Sequence, residues 1–193
     1  MTMRADAIYS STVVGVPPAE DAFLGKASER IWLPALRAAI PELVSYDLPV
    51  AGVFQNCVIV SIQKEFPGHA RRVMHALWGL SSLGLVKCIV VVDDFVDVHD
   101  YHQVFFHACA NVDPARDFVL VEGPLDQLDH AALRPSYGGK LGVDATHKLP
   151  AEAARIWPDR ITMSQDVREL VSRRWKEYGL LDAPRDPDAG RLF

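Results

Sequence analysis

Three features of the 193-residue sequence predict an α/β fold, a small parallel sheet built from βαβ units with flanking helices. The first is Cys88-Ile89-Val90-Val91-Val92, an apolar run without alternation, which suits a strand buried on both faces. The second is a similar run upstream, Asn56 to Gln63. The third is the amphipathic stretch between them, His69 to Ser82, with Val73, Ala76, Leu77 and Leu80 on one face. Strand, helix and strand within about 35 residues make a βαβ unit, whose crossover is right-handed.

The totals agree with one globular domain and its appendages. Apolar residues make up 49% and charged residues 23%, ordinary values for a chain long enough to bury a core. A net charge of −5 with no basic face argues against a nucleic-acid partner. Cys57, Cys88 and Cys109 are spaced for neither a zinc site nor a disulfide framework, which points to a cytoplasmic location. No long apolar run follows Met1-Thr2-Met3-Arg4, so neither a signal peptide nor a membrane span is expected.

Taken in order, Ile8 to Val16 is rich in β-formers and reads as a strand with no partner nearby. Pro17-Pro18-Ala19-Glu20-Asp21 starts a helix carrying Phe23, Leu24, Ala27, Ile31 and Trp32 at helical spacing; Pro34 kinks or restarts it and Pro41 ends it. Leu43 to Leu48 is a short extended piece. Pro67-Gly68 precedes the His69 helix, Gly84 follows it, and Lys87 opens the central strand. Asp100 N-caps a helix through Ala110 with Val104, Phe105 and Ala108 inward, and Asp117 to Val121 is a third strand of the parallel sheet. Gly123 to Pro150 shows no clear period and reads as a functional or subunit-contacting segment. Ser164 caps a last helix with a stripe of Val167, Leu170, Val171, Trp175 and Tyr178, ended by Gly179; Ala183 to Arg191 reads as a mobile tail.

Several groups could carry chemistry. Asp93, Asp94, Asp97, His99, Asp100 and His102 have metal-ligand chemistry, against which stands their place at a helix start, where acids serve the dipole and cap. Lys64 to Arg72 puts Gly68 and basic groups at a helix N-terminus, either an anion site or a turn with solvated arginines. Leu128-Asp129-His130 resembles part of an acid–base pair without a nucleophile. His75 and His107 read as structural histidines, and Gly138-Gly139-Lys140 as a turn or a phosphate approach. No complete catalytic set is present.

The collinear blocks Arg4-Ala5-Asp6-Ala7-Ile8-Tyr9, Val14 to Asp21, Ser61-Ile62-Gln63-Lys64 with Pro67-Gly68-His69-Ala70, Ala76-Leu77-Trp78-Gly79, Lys87 to Asp100, Val112 to Asp117, Pro124 to Ala131 and Gly139 to Thr146 together resemble the UbiD family of reversible (de)carboxylases, which use prenylated flavin mononucleotide. The likeness is to the later part of that family. It implies that 1–18 end a central split-barrel domain, so that the Ile8–Val16 strand is left over from it; that 19–50 are linking helices; that 51–182 are a C-terminal α/β domain; and that 183–193 are the tail. The family's Asn and His metal ligands and its catalytic Arg-Glu-Glu/Asp set lie before the point where Met1 falls, so the resemblance implies no catalytic and no metal residue here. Prenylated FMN and a divalent metal serve the full-length family, and neither is expected on this chain alone.

The resemblance further implies a cofactor-phosphate contact at Lys87 and a substrate-cleft wall at Pro124, Leu125, Leu128 and Asp129. Self-association into a homodimer or larger species is expected, and a separate chain carrying the catalytic half is a possible partner. The sequence departs from the family at Phe95, where an acid is usual, at Ala132 for Ser and at Leu149 for Trp. Two rival readings are a stand-alone assembly or binding module, and a metal-dependent enzyme using the Asp93–His102 cluster.

Overall fold

The computed structural model describes residues 19–52, 56–81, 83–127, 129 and 131–179. The strand expected over Ile8 to Val16 and the tail expected over Ala183 to Arg191 lie outside the described residues. Five strands form one sheet: β1 (Leu43–Asp47), β2 (Cys57–Ile62), β3 (Cys88–Asp93), β4 (Phe118–Pro124) and β5 (Tyr137–Asp144), in the order β1-β2-β3-β5-β4. β2, β3 and β5 are parallel, in register from Cys57↔Cys88 to Ile62↔Asp93 and from Cys88↔Leu141 to Val91↔Asp144. β1 and β4 flank them antiparallel.

The strand expected over Asp117 to Val121 is present from Phe118 onward, but as an antiparallel edge strand. The third parallel place belongs to β5, which lies inside the stretch read as lacking a period. Its sequence, Tyr-Gly-Gly-Lys-Leu-Gly-Val-Asp, carries three glycines, and the helix above it explains at least one. A Cβ at Gly142 would sit 2.5 Å from Met74 Sδ and 3.3 Å from the Trp78 ring. Close helix approach demands a strand position without a side chain, and that erases the usual strand signature.

Helices cover both faces. On one face Val58, Val60, Ile62, Ile89 and Val91 pack with Val73, Met74 and Leu77 of α2 (His69–Gly79) and with Leu36 and Ile40 from the end of α1 (Ala19–Ala39) and just beyond it. Pro34 lies inside α1 without ending it. On the other face Ile59, Val92 and Ala145 meet Val96, Val98 and Val104, the last on α3 (Tyr101–Asn111). The Asp100 side chain caps α3 by accepting from the His102 and Gln103 amides at 3.0 and 3.2 Å. Phe105, expected inward, is 71% exposed. Val104 and Ala108 define the inward stripe, and the next position is turned about 100° away from it.

A one-turn helix, α4 (Pro114–Asp117), leads into β4. Beyond β5 comes α5 (Gln165–Arg174), with Ser164 at its N-cap position but no side-chain cap, then a 3₁₀ turn at Trp175–Tyr178 and Gly179 at φ 69°. None of the α5 residues is buried.

The packing at β5 gives a direct test. Gly142→Val should lower the free energy of unfolding by about 1–3 kcal/mol, since Met74 and Trp78 must both give way in a filled core. Urea denaturation monitored by tryptophan fluorescence measures it.

Candidate functional site

Parallel α/β sheets place ligands at the carboxyl ends of their strands. Here Ile62, Asp93 and Asp144 end β2, β3 and β5 at one edge, and residues 145–152 run across it. Two lysines hold that segment down from below. Lys64, with its side chain fully buried, donates to Thr146 Oγ1 at 2.9 Å, the His147 carbonyl at 2.8 Å and Glu152 Oε2 at 2.6 Å. Lys148 donates to the Asp144 carbonyl at 2.8 Å and reaches Asp144 Oδ1 at 3.0 Å and Asp117 Oδ1 at 3.3 Å. Asp117 is also gripped by Arg116 at 2.8 and 2.7 Å, and Asp144 Oδ1 accepts from the Thr146 amide and hydroxyl. Lys64, Lys148 and Arg116 therefore balance Asp144, Glu152 and Asp117, and a buried set of this kind is tolerable only when each member is paired.

Glu152 also settles the fate of the expected anion site. Its carboxylate accepts the Gly68 amide at 2.7 Å and the Leu149 amide at 3.0 Å. The negative charge at the α2 N-terminus is thus supplied by the chain itself, and Arg72 pairs instead with Glu42. Burial pushes the Glu152 carboxyl up, but the hydrogen bonds from Lys64, Gly68 and Leu149 outweigh it and hold the group below its ordinary value. The same balance, through Arg116, the Asp113 amide and Lys148, holds Asp117 low.

On top of this platform sits an Asp–His pair. Asp93 is 2% exposed and accepts the His147 amide at 2.8 Å on one oxygen and His147 Nδ1–H at 2.6 Å on the other. Two bonds from one residue fix the ring's orientation and leave Nε2 without a hydrogen-bond partner among the described residues. Asp93 and His147 line a cleft of about 1010 Å³ whose other walls include Phe95, Phe106, His107, Trp157 and Arg160. The Arg160 guanidinium stacks 4.5 Å from the Phe95 ring centre, and His107 meets Phe95 and Phe106 edge-on at 5.5 and 5.4 Å. Burial lowers the His107 pKa, Asp93 pulls the other way, and Arg160 adds to the lowering.

The acidic cluster at the end of β3 is dispersed. Asp93 serves His147, Asp97 accepts the His99 amide at 2.9 Å, Asp100 caps α3, and Asp94 and His102 are exposed. His99 turns instead to Asp47 on β1, 3.0 Å away. Glu29, Asp47 and His99 could in principle share a cation, but the Lys26 ammonium already bonds Glu29 and Asp47, and the Tyr101 hydroxyl donates to Asp47 at 2.9 Å. Burial and that hydrogen bond push the Tyr101 hydroxyl up to about 12. The donors are spent on this chain's own groups, so a divalent metal does not fit here.

The residues singled out by family resemblance gather at the opposite, amino edge. Lys87 donates to Asp129 Oδ2 at 2.6 Å, and Pro124 ends β4 opposite Tyr137. Leu125 is buried and packs against Gly138, while Leu128 and His130 lie outside the described residues. Lys87 borders a groove of about 600 Å³ together with Lys140. Lys140 is buried, donates among the described residues to the Gly84 and Val86 carbonyls, and burial lowers its pKa. A flavin phosphate at Lys87 would compete with the Asp129 carboxylate. Of the carboxyl-edge set, Lys64 is read from the sequence only as part of the α2 N-terminus, and Asp144, His147, Lys148 and Glu152 are not singled out as site residues. An acid and a lysine four positions apart, Asp144 and Lys148, acquire meaning once β5 is known to end at the first of them.

Residues 22–145 match the C-terminal domain of 3-octaprenyl-4-hydroxybenzoate carboxy-lyase. The chain belongs to the UbiD family. It is 50% identical over 179 residues to an uncharacterised protein of Archaeoglobus fulgidus and 47% identical over 179 residues to one of Aeropyrum pernix, covering 92% of this chain and 37% of each relative. The chain therefore spans little more than a third of the length of these relatives. Among solved structures it resembles the vanillic acid decarboxylase of Sedimentibacter hydroxybenzoicus in open form, at 25% identity and TM-score 0.71 over 85% of this chain and 35% of that one. It also resembles the UbiD-class enzyme HmfF of Pelotomaculum thermopropionicum, solved in complex with FMN, at 27% identity and TM-score 0.63 over 75% of this chain and 32% of that one. As a UbiD-family C-terminal domain it carries the fold that the sequence implied, with antiparallel strands added at both edges of the sheet.

Two outcomes follow for the ion network. Lys64→Ala leaves Glu152 buried without its ammonium and should cost about 3–5 kcal/mol in chemical denaturation. Glu152 and Asp117 both titrate below their ordinary values of 4.5 and 3.8. Their contribution is thus complete above pH 4.5 and is lost as pH falls through the lower folded-state values. Unfolding free energy should decline with acid over that range, with a shallower decline in Glu152→Gln.

Proposed function

We propose that this chain is the assembly and active-site-wall domain of a UbiD-like non-oxidative (de)carboxylase acting on an aromatic or α,β-unsaturated acid. The observation that carries this reading is the family match over residues 22–145. The likeness to the vanillic acid decarboxylase supports it. Prenylated FMN and the catalytic acid–base residues belong, in this reading, to polypeptide outside this chain, whether in the same protein or in a separate chain. Lys87 contacts the cofactor phosphate by exchanging its Asp129 partner. Pro124 and Asp129 border the substrate cleft, with Leu125 bracing them from behind. No helix among the described residues is long and apolar enough to cross a membrane.

The assembly role rests on apolar surface that the domain does not cover. Phe23, Leu24, Ile31 and Trp32 on α1 are exposed, Phe23 by 77%, and Val167 and Leu170 on α5 are exposed by 44% and 41%. A ten-residue helix with no buried side chain is marginal alone, and large apolar side chains left exposed on a helix suit an interface. A second copy of the chain covers them in a homodimer or larger species.

The activity is tested by a hybrid. The part of the Archaeoglobus fulgidus relative that precedes the matched region is fused to this chain, loaded with prenylated FMN and screened for carbon dioxide release from aromatic and α,β-unsaturated acids. The hybrid should turn over acids that the full-length relative turns over, and this chain alone should turn over none. Release by the chain alone, or a folded hybrid inert on every acid its parent decarboxylates, would overturn the reading.

For assembly, light scattering on the wild type should give a multiple of 21.4 kDa. The surface variant Val167→Glu/Leu170→Glu should return a single-chain mass with unchanged circular dichroism. A wild type that is monodisperse at the single-chain mass at micromolar concentration would contradict the assembly role.

A further inference from the structure

Cys57 and Cys88 open β2 and β3 and are paired in register across the parallel ladder. Register partners on neighbouring parallel strands present their side chains to the same face of the sheet. α3 covers that face only toward the carboxyl ends, where Val104 packs with Ile59 and Val92. At the amino ends the face is open. Both thiols are half-buried, Leu120 is exposed, and Cys88 lines the groove of about 600 Å³ with Leu120, Glu122 and Leu141. Beside Cys57 the Val50–Gly52 turn packs so closely that a Cβ at Gly52 would come within 2.7 Å of the Cys57 Cβ. Burial pushes the Cys57 thiol up to about 12, with Cys88 and Asp47 adding to the rise. Burial also raises the Cys88 thiol, against the pull of Lys87.

We propose that Cys57 and Cys88 form a two-sulfur site for a soft monovalent cation of the monovalent-copper type, held in a line between the two thiolates. The spacing selects this ligand. Neighbouring strands lie about 4.8 Å apart, whereas a disulfide draws its two Cβ atoms to about 3.8 Å. Side chains that project in parallel at strand spacing therefore close to a disulfide only by pulling the sheet together. Two metal–thiolate bonds of about 2.3 Å, laid end to end, bridge sulfurs about 4.6 Å apart, a span the ladder already provides. The donor set selects it too. Among the described residues no third cysteine, histidine or carboxylate is grouped with the pair at ligand distance. Tetrahedral zinc would thus lack half its ligands, while thiolates favour monovalent copper. Binding releases both thiol protons to solvent and leaves one net negative charge on the bound set. Two bare thiolates would carry twice that, so a half-buried position tolerates the complex better. In the free pair the raised thiols stay protonated at neutral pH, which slows alkylation and oxidation without barring an ion that displaces the protons. The site rests on neither the assembly reading nor the decarboxylase reading.

Anaerobic titration of the full chain with monovalent copper, against the competing chelator bicinchoninate, tests it. The titration is run on Cys109→Ser, which removes the exposed third thiol and leaves the core intact. The chain should retain about one ion, and Cys57→Ser or Cys88→Ser should each reduce that to about none. X-ray absorption on the copper-loaded Cys109→Ser chain, a readout that needs neither pair variant to fold, should show two sulfur neighbours and no nitrogen or oxygen. Mass mapping after N-ethylmaleimide should find both thiols protected by copper and neither protected by zinc, which asks for four ligands. No copper retained against the chelator, or retention undiminished when either thiol of the pair is lost, would overturn the proposal. Half an ion per chain would also overturn it, since that marks one thiol from each of two copies. So would three or more ligands in the absorption spectrum, or equal protection by zinc.

Discussion

The ammonium of Lys64, sealed under the carboxyl edge of the sheet, is the interaction on which the candidate site depends. It leaves the end of β2, crosses beneath the segment after β5 and binds that segment at Thr146, His147 and Glu152. Glu152 in turn closes the N-terminus of α2 through the Gly68 amide. One buried charge thus ties a strand, a crossover helix and a loop that are far apart in sequence. Removing water from such a charge is expensive, so the network persists only because every donor has an acceptor. The consequence is a rigid loop where α/β proteins ordinarily place mobile ones, and a His147 ring whose direction is settled before any ligand arrives.

Rigidity at this edge contrasts with the bare helices at the periphery. α1 shows a row of large apolar side chains to solvent, and α5 buries nothing. Inside the domain, Lys26, Glu29, Asp47, His99 and Tyr101 hold α1, β1 and the start of α3 together. The domain therefore combines an apolar core and internally satisfied polar networks with large apolar side chains left on its outer helices.

The fold was legible where burial on both faces leaves a continuous apolar run, as at Cys88 to Val92 and Asn56 to Gln63, and where a cap is spelled out, as at Asp100. It was illegible at β5, because a strand beneath a closely packed helix spends its positions on glycine. Losing β5 hid the site as well: Asp144 and Lys148 look like loop charges until the strand before them is placed. The acidic run after β3 misled in the opposite sense, since neighbours in sequence were sent to a cap, a turn and a distant strand. Lys87 and Asp129 were singled out through family resemblance, and the structure joins them in one ion pair across 42 positions. Spacing alone could not have paired them.

Amide hydrogen exchange across residues 145–152 tests most directly the claim that buried charge organises this edge. The Thr146, His147 and Leu149 amides donate to Asp144, Asp93 and Glu152. In the wild type they should exchange as slowly as the amides of β3. In Lys64→Met they should become fast while β3 remains protected, because the loop opens without the sheet. Fast exchange of the three amides in the wild type, or unchanged protection in the variant, would contradict the account.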